Sequence, residues 1–253
     1  MRFAADYTAD VSKTVAMNSF PARLTRFVGR RAEIDALVPI VTNNRLVTLT
    51  GAGGIGKTRL AVEVASRMGA DGTCYVDLAP ITDPRVVPVT VARSLGIPDQ
   101  PDRSTLETLC RFVGDKQTLI LLDNCEHLLD ACGSLIGALL TACPNVSVLT
   151  TSREPIGVDG ELTWMVPSLS LTDDAIELFT DRACRARPDF RTTVDNSVTI
   201  ADICRRLDGM PLAIELAAAR VRALSLSDIL ENLYDRFQLL TGARAPRCSA
   251  TRP

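Results

Sequence analysis

Between residues 30 and 41 the apolar side chains Ile34, Leu37, Val38 and Val41 recur at helical spacing, and Thr42-Asn43-Asn44 follows as a loop signal. Pro39 lies inside that stretch, so the helix is expected to kink or end just before it. Residues 46–50 form a short β-rich run that ends at a glycine cluster. Helical spacing returns over 58–68 through Leu60, Ala61, Val64 and Met68. The alternation continues with strands expected at 73–78, 118–122 and 146–151, and helices at 86–95, 106–113 and 128–140. Strands separated by helical segments predict an α/β fold: a parallel sheet covered by helices on both faces.

From Leu171 onward the strand pattern stops. Four helical patterns follow, at 173–186, 194–207, 211–224 and 227–239, joined by short polar connections that suit a small all-α helical bundle. The expected organisation is a leader or linker over 1–23, a nucleotide-binding domain over 24–170, a helical domain over 171–240 and an unstructured tail over 241–253. The tail has no apolar face and contains two prolines.

Composition adds bounds to this picture. Apolar residues make up 46% and charged residues 23%, enough to build a sizeable core. A net charge of -2 offers no general attraction to nucleic acid or to an acidic membrane. The cysteines are scattered without a CxxC pair and His127 is the only histidine, which reads as reduced thiols in a cytoplasmic protein rather than a disulfide framework or a zinc site. No run approaches the ~20 apolar residues of a transmembrane helix, so no membrane partner is expected.

The candidate chemistry begins at the glycine cluster. Gly51 to Thr58 reads GAGGIGKT and satisfies GxxxxGK[ST] between a strand and a helix. Gly51, Gly53, Gly54 and Gly56 let successive backbone N–H groups face phosphate oxygens at the start of the helix, with Ile55 and Arg59 in the same set. With ATP or ADP bound, Lys57 would neutralise the β-phosphate and, in ATP, the γ-phosphate, and the Thr58 hydroxyl would ligate Mg²⁺. The buried run LILLD ends at Asp123, an acid placed to hold the metal's water shell. Asn124 cannot act as a base, so the nearest carboxylate is Glu126, which either activates water or favours the N-terminus of the following helix. Another strand ends in TTSR, where Arg153 either reports on the γ-phosphate or stands as a surface arginine.

These motifs, in the order Phe27-Val28-Gly29-Arg30, GAGGIGKT, LILLDNCEH, TTSRE and Gly209-Met210-Pro211-Leu212, resemble the NB-ARC type of STAND ATPase. The version found in large bacterial transcriptional regulators of the LuxR and SARP kinds is the most similar, over roughly residues 24–240. The resemblance implies a P-loop NTPase fold and a switch in which ADP holds a closed state and ATP opens it. It also implies that Val28, Arg30 and Pro211 help enclose the adenine and ribose. Asn124 stands where the family often has a second acid, which implies slow hydrolysis at most. Implied partners are the nucleotide and either another copy of the chain or a full-length related regulator; no DNA binding is expected from this chain itself. A stand-alone ATPase using Glu126, and a truncated paralogue acting only by association with full-length relatives, are the alternatives.

Overall fold

Each strand is short, β-rich and bounded by loop residues. In the computed structural model, which describes residue 20 and residues 25–69, 72–98 and 104–241, these are β1 (Leu46–Thr50), β2 (Thr73–Asp77), β3 (Thr118–Asp123), β4 (Val146–Thr151) and β5 (Leu162–Met165). They form one sheet in the order β2-β3-β4-β1-β5, with every pairing parallel. Every residue of β1 and β3 is buried, which explains why β3 reads as a largely apolar run rather than as an alternation.

The helices are α1 (Arg31–Asn43), α2 (Lys57–Arg67), α3 (Val87–Ser94), α4 (Thr105–Val113), α5 (Leu129–Ala142), α6 (Asp174–Ala186), α7 (Val194–Arg206), α8 (Pro211–Ala219) and α9 (Leu226–Thr241). No helix among the described residues is long and apolar enough to cross a membrane. The expected leader (apart from Phe20) and the expected tail beyond Thr241, including Cys248, lie outside the described residues.

The chain divides into two compact units. The first comprises Ile34–Thr50 and Thr58–Met165. Its main core joins Val76, Ile120, Leu122 and Val148 of the sheet to Val91 of α3, Leu109 of α4 and Leu135 and Leu139 of α5. Leu119 and Leu121, on the opposite face of β3, are buried as well, so the sheet is covered on both sides. The second unit comprises Thr25–Glu33, Gly51–Lys57 and the residues from Val166 on. Its core gathers Val28, Phe179, Phe190, Ile200, Ile203, Ile214 and Val221, with Phe179 and Phe190 edge to face at 6.4 Å between ring centroids.

Two local expectations are corrected. Helix α1 does not stop at Pro39 but runs on to Asn43. Proline removes the N–H that would reach the Asp35 carbonyl; both residues are exposed, so water can satisfy that carbonyl. Strand β5 escaped the sequence reading because it is four residues long and lies at the sheet edge, where its residues alternate between half-buried and exposed.

Candidate functional site

In a parallel sheet all strands deliver their C-terminal ends to one edge, where ligands bind in open α/β folds. Here β3 ends at Asp123 and β4 at Thr151, and β2 ends at Asp77, opposite Asp123 in register. Asp123 is 2% exposed, and four side chains among the described residues donate to it. Onto Oδ1 come the Thr58 hydroxyl at 2.8 Å and the Thr151 hydroxyl. Onto Oδ2 come the Tyr75 hydroxyl at 3.0 Å and, more loosely, Asn124 Nδ2 at 3.3 Å. Burial, and next the Asp123 charge, push the Tyr75 phenol well above its ordinary pKa, so it stays a donor at neutral pH.

Asn124 has left-handed backbone geometry, with φ 63° and ψ 50°, which asparagine tolerates better than most residues. Its N–H donates to Thr151 Oγ1 at 3.0 Å, tying the turn after β3 to the end of β4. Glu126 sits in the following 3₁₀ turn, Cys125–His127, with Oε1 3.3 Å from Arg153 Nε. The two residues that the sequence put forward as base and sensor are therefore paired with each other. Glu126 Oε2 is buried without a hydrogen-bond partner among the described residues. His127 accounts for itself structurally, its Nε2 lying 2.8 Å from the Ile81 carbonyl oxygen.

The glycine loop forms its own cluster within the second unit. Lys57 is 8% exposed, and its ammonium donates to the carbonyls of Gly51 at 2.8 Å and Ala52 at 3.2 Å. Gly54 has φ +80°, and a Cβ there would lie 2.9 Å from Leu212 Cβ, so both the backbone conformation and the space require glycine. The Leu212 N–H, at the start of α8, donates to the Gly54 carbonyl at 3.2 Å, and Pro211 approaches Gly56 from the same turn. Proline suits this first-turn position because its missing N–H has no helical partner to lose.

Arg30 is 2% exposed, and its Nη2 donates at 2.8 Å both to the Ile55 carbonyl of the loop and to the Pro167 carbonyl. Its own N–H donates to Asp174 Oδ2 at 3.0 Å. Burial lowers the guanidinium pKa, while Glu33 and Asp174 push it back up. Val28 is buried in the core of the second unit; Gly53 is exposed and Arg59 half-buried.

The candidate residues thus fall into two described clusters. Thr58, Asp123, Glu126 and Arg153 belong to the first unit; Val28, Arg30, the loop through Lys57, and Pro211 belong to the second. Sequence reasoning missed Tyr75 and Asp174. A polar aromatic residue near the end of a strand beside β3 is the one signal that could have drawn attention to Tyr75.

No family model matches this chain. It is 57% identical over 204 residues to a protein of Mycobacterium tuberculosis that carries the name HTH-type transcriptional regulator, covering 80% of this chain and 23% of that protein. A second M. tuberculosis protein, named only as uncharacterized, is 51% identical over 233 residues, covering 91% of this chain and 58% of the relative. Regulatory protein AfsR of Streptomyces griseus is 32% identical over 245 residues, covering 87% of this chain and 23% of AfsR. The chain therefore spans about a quarter of the length of the curated regulators it matches.

Among solved structures, a Walker-type ATPase of Pyrococcus abyssi superposes with a TM-score of 0.58 at 14% identity, covering 90% of this chain and 78% of that one. The fold is that of a P-loop NTPase. A Signal Transduction ATPase with Numerous Domains from Pyrococcus horikoshii, which has a tetratricopeptide repeat sensor, gives a TM-score of 0.52 at 17% identity, covering 85% of this chain and 33% of that protein.

Proposed function

We propose that this chain is the nucleotide-binding switch module of a transcriptional regulator, binding ATP or ADP with Mg²⁺ and hydrolysing ATP slowly at most. The observation that carries the reading is the 2.8 Å hydrogen bond from Thr58 to Asp123. It joins the hydroxyl that follows the loop lysine to the acid at the end of β3, and both offer the hard oxygen donors that suit magnesium. Lys57 supports it: a buried ammonium held by neutral carbonyls would gain a stronger partner in a phosphate oxygen.

In this reading the Gly51 to Gly56 backbone and Lys57 would hold the phosphates, Thr58 would ligate the metal and Asp123 would orient its hydration shell. Magnesium supplies neutralisation of phosphate charge and orientation of its oxygens. Arg30 holds the loop through the Ile55 carbonyl, beside the adenosine contacts proposed for Val28 and Pro211. The pairing of Glu126 with Arg153 favours slow turnover, because the candidate base is engaged by a cation. The sensor role of Arg153, a cytoplasmic location, association with a full-length regulator, and the division into a nucleotide-binding part over 24–170 and a helical part over 171–240 belong to the same proposal.

A second reading, a stand-alone ATPase, has one observation in its favour: the unpartnered Glu126 Oε2 is an acceptor able to take a proton from water. Steady phosphate release over many turnovers would select it over the switch. For the switch itself, calorimetric titration with Mg-ADP should give saturable binding that Lys57→Ala weakens by ~100-fold or more. Equal affinity in the two proteins would overturn the site assignment.

A further inference from the structure

Asp123 is more fully engaged than an acid waiting for a metal needs to be. A carboxylate offers ~4 lone-pair positions. Two threonine hydroxyls occupy Oδ1, while a phenol and a carboxamide occupy Oδ2. The acceptor capacity is used up by the protein alone. The hydration shell of a divalent cation donates hydrogen bonds too, so it can reach Asp123 only by displacing one of these four.

The donors are not equivalent. Thr58 is itself the proposed metal ligand, and its hydrogen bond to Oδ1 leaves its own lone pairs free for the ion. Thr151 is fully buried and also accepts from the Asn124 backbone, so it is fixed from two sides. That leaves Oδ2, where the Asn124 contact is long and the Tyr75 contact is a full hydrogen bond at 3.0 Å. Register explains why Tyr75 reaches this oxygen. It pairs with Leu121, two residues before Asp123, so the two side chains are diagonal neighbours on one face of the sheet, within span of an aromatic side chain.

We infer that Tyr75 is a positioning residue that sets how readily the site takes up its divalent cation: its hydroxyl holds Asp123 Oδ2 and competes for that oxygen with the metal's water. The inference rests on the proposed role of Asp123 toward magnesium. Tyr75 makes no claim on the nucleotide itself.

Tyr75→Phe keeps the ring and removes the competing donor. One lone pair on Oδ2 then becomes available, and the Mg²⁺ concentration giving half-maximal effect should fall about 10-fold or more, the worth of one hydrogen bond to a charged acceptor. The measurement is a Mg²⁺ titration of fluorescent methylanthraniloyl-ADP binding, alongside the affinity for the same probe in EDTA, which should not change. Tyr75→Leu, which removes ring and hydroxyl together, should show the same fall and serves if the phenylalanine variant does not fold. An unchanged or increased Mg²⁺ requirement, with the wild type showing a clear Mg²⁺ dependence, overturns the role of Tyr75 and leaves the nucleotide reading standing. A wild type that binds the probe equally with Mg²⁺ and with EDTA overturns the metal assignment of Asp123, and this inference with it.

Discussion

Around Asp123 one negative group is met by side-chain hydroxyls and an amide from β2, α2, β4 and the turn after β3, whereas the hydrogen bonds described for the Lys57 and Arg30 side chains go to backbone carbonyls, with the Glu33 carboxylate 3.7 Å from Arg30. The first arrangement is specified residue by residue, since each donor can be deleted by a single substitution. The second is specified by the path of the chain, because carbonyls come with any residue and only the loop conformation aims them. In the proposed site the side-chain donors would therefore tune an ion's affinity, while the loop would set whether phosphate binds at all. The two carbonyls that the Lys57 ammonium meets are weaker partners for a cation than a phosphate oxygen would be.

The largest expected stability effect tests the carbonyl side. Arg30→Ala leaves the Ile55 and Pro167 carbonyls without their shared donor and removes a side chain that is 2% exposed. It should cost about 3 kcal/mol in urea unfolding. A loss below about 1 kcal/mol would show that the guanidinium is not what holds these carbonyls. Next, Gly54→Ala combines strain at φ +80° with a Cβ 2.9 Å from Leu212, and should cost about 2 kcal/mol. Leu212→Ala keeps its own Cβ but removes the Cδ2 that the new Cβ would meet at 3.0 Å, so it should recover part of that loss in the double variant, a coupling of about 1 kcal/mol; strict additivity would mean that the Cδ2 contact carries no energy. The smallest effect falls on the acid side. Arg153→Ala breaks a pair in which the arginine side chain is 68% exposed, so stability should change by less than about 1 kcal/mol by the same measurement. A larger loss would mean that Glu126 depends on Arg153 to remain buried.

How far each feature could be read from sequence follows from the range of the interaction behind it. The glycine loop was legible because its demands fall on consecutive residues: Gly54 must adopt positive φ, and Lys57 begins a helix. Asp123 was legible because a charge closing the apolar run 119–122 stands out. Tyr75 was not, since its partnership depends on the pairing of β2 with β3 across 48 residues, and a tyrosine near the end of a strand is unremarkable until that register is known. Asp174 is similar: the first turn of α6 gives no sign that its carboxylate meets the Arg30 N–H. The pairing of Glu126 with Arg153 joins two residues that the motifs had named separately, for different tasks. For Pro39 and β5 the local rules were sound but overridden, by solvent at an exposed carbonyl and by pairing with β1.

The loop from Gly51 to Lys57 is proposed to hold an adenine nucleotide. The most direct test is to denature the purified wild-type protein and the Lys57→Ala variant, each first equilibrated with Mg-ADP and freed of unbound ligand, and to quantify the released nucleotide chromatographically. Close to one ADP per wild-type chain and almost none from the variant is the expected result. Equal amounts from both, or none from either, would contradict it.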